Sequence, residues 1–411
     1  MSRRHSRARK SASTGEALSI KDLLKQCEAP LRDFEPTPDD REGFARGGKQ
    51  ATGVSITPER LPVPESIILV MTLLVGAHDL GRSEKLKWEY PFRYNGHNCS
   101  ISQEKFGLRL YISDASLQQS QESAGALSQA IISKISAASR CLENKLLKDI
   151  GQQQLAIGRI TVKNQSPSLR RMYTYFRQLA IDTYDQNRLV VRPSLQVEGE
   201  PSVFAEVIDG WDRRTEGFFC TVAMTNAYFS LLEHLLVLAL PATDFEPTKN
   251  LVTEFIGMRL FDKYDRVFND PNDSNASSFR KRLHDAAERW RNPYAHGGFD
   301  KANGTIAFHL PEISALPVLL SDIRTHPTFH LVPEREMSFD QLCSLFDELD
   351  TWLRTGPIAH GIEWAEEGLD VPFNPESLSA FRRAASKGPE AFSNFVAHTS
   401  HGVDMATNMD W

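Results

Sequence analysis

The chain has 411 residues, 41% of them apolar and 24% charged, with a formal net charge of −6. That length exceeds one usual domain and that composition is globular rather than fibrous or disordered. The negative balance excludes a protein that coats nucleic acid with its whole surface, so a nucleic-acid partner requires a local basic patch.

Residues 1–60 are rich in Ser, Gly, Pro and charge and lack sustained apolar periodicity, which predicts a disordered basic arm. Arg3, Arg4, Arg7, Arg9 and Lys10 can touch nucleic acid or simply keep the arm solvated. No apolar signal-peptide core follows them, and the apolar run from Ile67 to Ala77 is too short to span a bilayer. The five cysteines are widely spaced, odd in number and form no C-x-x-C pair, as suits a reducing compartment. A cytoplasmic protein with no membrane association is expected.

A smaller α+β domain is expected over 61–200. Pro64 and Glu65 open a buried helix. Trp88 to Tyr94, the pair Asn95–Gly96 and a second extended run from Ser100 to Ile112 read as a β-hairpin over about 87–113, with Pro91 marking an edge. Helical spacing resumes from Ser116 to Leu155 and again after Pro167. Arg170, Arg171 and Arg177, interleaved with Tyr173, Tyr175 and Phe176, can stack on and neutralise single-stranded RNA. The same pattern also describes an amphipathic helix with a solvated basic side.

Pro193 to Glu200 reads as a linker, after which the pattern becomes mainly α. Four helices are predicted from Gly217 to Leu240, Thr248 to Phe268, Ser277 to His296 and Ser338 to Arg354, and a four-helix bundle over 205–355 accommodates them. Gly304 to Leu310 reads as a strand or extended cover, and 356–411 as a C-terminal helical extension.

The third of these helices carries the chemistry. Its apolar residues Phe279, Leu283, Ala286 and Trp290 recur at threes and fours, and it ends in Arg291-Asn292-Pro293-Tyr294-Ala295-His296 before Gly297 and Gly298. On an ideal helix Asn292 and His296 share a face, Arg291 lies further round, and Pro293 bends the last turn. A guanidinium holds phosphate bidentately, and an imidazole at a helix C-terminus exchanges protons near neutral pH. Glu233 and His234 interrupt the apolar stretch Tyr228 to Leu240; they are candidate polar groups near this site, with Glu233 a partner for Arg291, or else one is solvated and the other satisfied in the core.

Arg291-Asn292-x3-His296, preceded by Trp290 and followed by glycines, resembles the Arg-x4-His signature of the HEPN superfamily over roughly 205–355. The resemblance implies a helical, often dimeric domain and a metal-independent endoribonuclease of the toxin–antitoxin or antiviral kind, with RNA as substrate, no cofactor and a protein regulator among its partners. Arg291 would bind phosphate, Asn292 would orient, His296 would act as acid or base, and Tyr294 would support them. Superfamily members that only bind keep two alternatives open, a noncatalytic adaptor and a nucleotide-ligand sensor. No phosphate-binding glycine loop, H-E-x-x-H, zinc-type cysteine pairing or G-x-S-x-G occurs.

Overall fold

The computed structural model describes residues 20–37, 51–113, 121–185, 203–292, 306–311, 314–322, 326–328 and 337–409. The protein is mostly helical, with a small antiparallel sheet and C-terminal helices. It divides into two compact units, residues 1–153 with 401–411, and residues 154–400.

The first unit contains α1 (Ile20–Cys27), β1 (Phe34–Pro36), β2 (Ala51–Ile56), α2 (Glu65–Leu69, continued by a π-turn over Val70–Val75), β3 (Leu86–Tyr94), β4 (His97–Glu104), β5 (Gly107–Ser113) and α3 (Gln121–Leu142). The strands form one antiparallel sheet in the order β1-β3-β4-β5-β2. Asn95 and Gly96 adopt positive φ of 50° and 82°, so Tyr94 pairs with His97 across a two-residue turn whose twist suits the flanking strands. Trp88, Tyr90 and Phe92 alternate with Ile101, Leu110 and Ile112 in a core that also holds Ile67, Val70 and Met71 of α2 and Ile131 and Ile135 of α3.

This corrects three expectations. Residues 20–37 and 51–60 are not a disordered arm: α1, β1 and β2 lie there, because strand pairing to β3 and β5 supplies partners that local composition does not reveal. The hairpin over 87–113 has three strands rather than two, the second run folding back so that Glu104 pairs with Gly107. Pro91 is on an interior strand, but β1 pairs only with Phe92 to Tyr94, so the proline falls just beyond it. Cys27 and Cys141, 114 residues apart with Cα atoms 5.4 Å apart, form a disulfide that ties α1 to α3. Spacing gave no sign of this pair, because packing of α1 on α3 creates it.

The chain continues through α4 (Lys148–Ala156). The second unit contains β6 (Thr161–Val162), α5 (Ser166–Tyr184), α6 (Val203–Leu238), α7 (Val252–Gly257), α8 (Leu260–Val267), α9 (Ser274–Ala286, continued by a π-turn over Ala287–Arg291), β7 (Ile306–Leu310), β8 (Ser314–Asp322), β9 (His326–Thr328), α10 (Phe339–Thr355), α11 (Ala359–Glu366), β10 (Val371–Pro372), α12 (Pro375–Ala385) and, as far as Ser400, α13 (Pro389–Asn408). Strands β7, β8 and β9 pair in order, and β6 pairs with β10. The single helix expected over 248–268 is broken because Met258 and Arg259 are extended.

The core runs along α6 from Met224 to Leu238 and takes side chains from α5, α7 to α10, and α11 to α13. The expected boundary near 200 is therefore displaced: α5 belongs with the C-terminal unit, since Tyr173 packs edge-on against Tyr228 and Phe346. Helices beyond 355 share this core rather than extending from it. Among the described residues one helical stretch, Thr215–Leu238, is long and apolar enough to cross a membrane, and 67% of its apolar window is buried inside the protein.

Gly361 of α11 crosses the end of α6 so closely that an added Cβ would lie 2.6 Å from the Ala239 Cα. Gly361→Ala is expected to destabilise the protein by about 1–3 kcal/mol through overpacking. Urea unfolding with an unchanged slope and a lower midpoint checks this.

Candidate functional site

Arg291 sits at the end of a helix that widens. The Asn292 N–H donates to the Ala287 carbonyl, five residues back, closing a π-turn over Ala287–Arg291. Such turns insert one extra residue into an α-helix and recur at functional positions. The following residue in sequence, Pro293, has no N–H to continue an α-helical ladder. Trp290 anchors the turn by donating from Nε1 to the Met337 carbonyl at 3.2 Å and by packing 5.6 Å from the Phe218 ring.

The extra residue carries the Arg291 guanidinium to α6, where it lies over the Phe229 ring at 5.3 Å. Its Nη2 is 3.9 Å from Glu233 Oε2. Phe229 and Glu233 are four residues apart and so share a helix face. The other Glu233 oxygen, Oε1, accepts from Lys263 Nζ of α8 at 2.6 Å. Lys263 is buried, at 2% exposure, whereas Arg291 and Glu233 retain 28% and 31% of their side-chain exposure. Two cations thus share one carboxylate: the buried ammonium holds it closely and the guanidinium touches it only at its edge.

His234, the residue after Glu233, is bonded elsewhere. Its Nε2 accepts the Gln165 N–H at 2.9 Å, at the start of α5. Burial, and then the charge on Lys263, hold its pKa below the ordinary imidazole value. Neutral and accepting at Nε2, it caps a helix.

Asn292 is exposed and ends the π-turn. Tyr294 and His296 lie outside the described residues.

The three basic residues of α5 separate. Arg170 forms a two-pronged pair with Asp350, and Arg177 a similar pair with Asp347 (Nη2 to Oδ2 2.6 Å) while donating to the Tyr173 hydroxyl at 2.9 Å. Both carboxylates belong to α10, so these arginines brace α5 against α10. Arg171 alone of the three is exposed and has no partner among the described residues.

Lys263 was invisible in the sequence reading because α8 is short and its lysine faces inward. A weak signal existed: Lys263 falls between Leu260 and Tyr264, on the apolar side of α8. Among the described residues no group of three or more His, Cys, Asp or Glu could hold a metal ion. No family model matches the chain, no curated protein does, and no solved structure does.

Glu233→Ala removes the carboxylate that Lys263 pairs with among the described residues and is expected to cost about 3 kcal/mol, the usual consequence of leaving a buried charge alone. Chemical denaturation of the two proteins side by side measures it. A histidine whose folded pKa is depressed contributes stability that is intact above the unfolded value of about 6.5 and is lost as pH falls through it. The midpoint of unfolding should therefore drop between pH 8 and pH 5, and His234→Gln should flatten that slope.

Proposed function

We propose that this protein is a metal-independent, HEPN-like endoribonuclease. The observation that supports the reading is the Arg291 guanidinium, supported on the Phe229 ring at 5.3 Å and only 3.9 Å from a carboxylate already held by Lys263. The cluster of Lys263, Glu233 and Arg291 carries one excess positive charge at a partly exposed rim, which favours an RNA phosphodiester over neutral ligands.

In this reading Arg291 binds the phosphate and Asn292 orients it. His296 takes the proton of the ribose 2′-hydroxyl as the 2′-oxygen attacks phosphorus while water protonates the departing 5′-oxygen, or it protonates the 5′-oxygen while water takes the 2′-proton. The 2′-O–P bond forms as the P–O5′ bond breaks, leaving a cyclic phosphate and a 5′-hydroxyl. A second copy of the chain would complete the site, as in composite superfamily sites, and a protein regulator would restrain a toxin or antiviral effector of this kind. The reading places the protein in the cytoplasm.

Purified wild-type, Arg291→Ala and His296→Ala proteins incubated with total RNA in EDTA provide the test. Cyclic-phosphate ends are expected from the wild type, with a fall of roughly 10²-fold or more in either variant at unchanged circular dichroism. RNA left intact by folded wild-type protein would refute the nuclease.

A further inference from the structure

A second site lies within the same unit and is independent of the nuclease reading. Helix α12 presents Pro375, Leu378, Ser379, Arg382, Arg383 and Ser386 along one face, at spacings of three and four, toward a cleft of about 680 Å³. The opposite walls are Ile157, Phe373 and the segment Glu246 to Thr248. That volume lies within the range of small-ligand sites.

The two adjacent arginines do different jobs. Arg382 is satisfied by backbone, donating to the carbonyls of Phe245 at 2.6 Å and Thr243 at 3.1 Å, so it fixes the wall segment against α12. Arg383 is exposed, and its guanidinium has no hydrogen-bond or ion-pair partner among the described residues. Glu246, the one carboxylate of the lining, is paired with Lys249 at 2.6 Å, outside the lining. The cleft is therefore net positive, with hydroxyls from Thr248, Ser379 and Ser386 beside its cation.

The segment behind the cleft is closely packed. Gly158 has a φ of +71°, and an added Cβ would stand 2.5 Å from the Pro247 side chain, so the backbone at the mouth is packed directly on the wall. Phe373 is fully buried against Phe245, with ring centroids 6.1 Å apart.

We infer that this cleft binds a small organic anion with an apolar body, its acid group on Arg383 and its hydrocarbon against Ile157 and Pro375, the two exposed apolar residues of the lining. An apolar rim, one free guanidinium and three hydroxyl-bearing neighbours match a carboxylate, sulfonate or phosphate monoester on an aromatic or aliphatic frame. An uncharged molecule of the same shape leaves Arg383 unused.

The probe is 1-anilinonaphthalene-8-sulfonate, titrated by fluorescence into full-length protein, with N-phenyl-1-naphthylamine as its uncharged counterpart. The sulfonate should saturate one site, about tenfold more tightly than the amine, since a charge-assisted hydrogen bond supplies that difference. Arg383→Glu should remove the preference for the anion, and Ser379→Trp should fill the cleft and abolish binding of both probes. Binding of the sulfonate that is unchanged in both variants, or occlusion by Ser379→Trp with Arg383→Glu without effect, would overturn the proposal. Arg383 and Ser379 are both exposed, so neither variant disturbs the core, and matching circular dichroism confirms it.

Discussion

The second unit is organised by the burial of one helix. From Met224 to Leu238, α6 is largely covered by neighbours, so the polar side chains it turns inward need partners inside the protein. Thr221 and Thr225 bond back to carbonyls four residues earlier. The Tyr228 hydroxyl donates to Asp350 of α10, Glu233 holds Lys263 of α8, and His234 accepts from the start of α5. Each partner comes from a different element, so satisfying the central helix also fixes the placement of the helices around it.

Charge is distributed by the same rule. Asp350 takes both the Tyr228 hydroxyl and Arg170, at 12% side-chain exposure, and burial beside that carboxylate pushes the Tyr228 pKa well above its ordinary value. The Tyr228 and Phe346 rings stack at 3.8 Å beneath this pair. Arg170 and Arg177 of α5 are thereby neutralised by carboxylates of α10. Around Glu233 the stoichiometry is reversed, with two cations to one carboxylate. The difference between a structural clasp and a candidate anion site is here a matter of which sign is in excess.

Much of this architecture was legible in the sequence. The Asn95–Gly96 turn requires left-handed backbone at both residues, and few other pairs supply it, so the hairpin could be read directly. The periodicity of Phe279, Leu283 and Ala286 located α9, and the helix expected from Ser338 begins there as α10, with Ser338 and Gln341 capping it. What could not be read depends on contacts between distant segments. β1 and β2 are short strands that exist because β3 and β5 pair with them, and the Cys27–Cys141 bond depends on α1 meeting α3. Arg170 and Arg177 looked like an RNA surface because Asp347 and Asp350 lie some 170 to 180 residues away in sequence. Of the candidate site, Glu233 and Arg291 were identifiable as polar interruptions, whereas Lys263 was hidden within an eight-residue helix.

The π-turn at Ala287–Arg291 makes the position of Arg291 depend on residue count as much as on residue identity. Removing a single residue from the turn would restore an ordinary α-helix and rotate everything beyond it by about 100°. The guanidinium would then leave the Phe229 ring and Glu233, although no residue of the cluster had changed. In a chain lineage, a one-residue insertion or deletion at this turn would therefore assemble or disperse the Arg291, Phe229 and Glu233 cluster in one step, with none of its residues substituted.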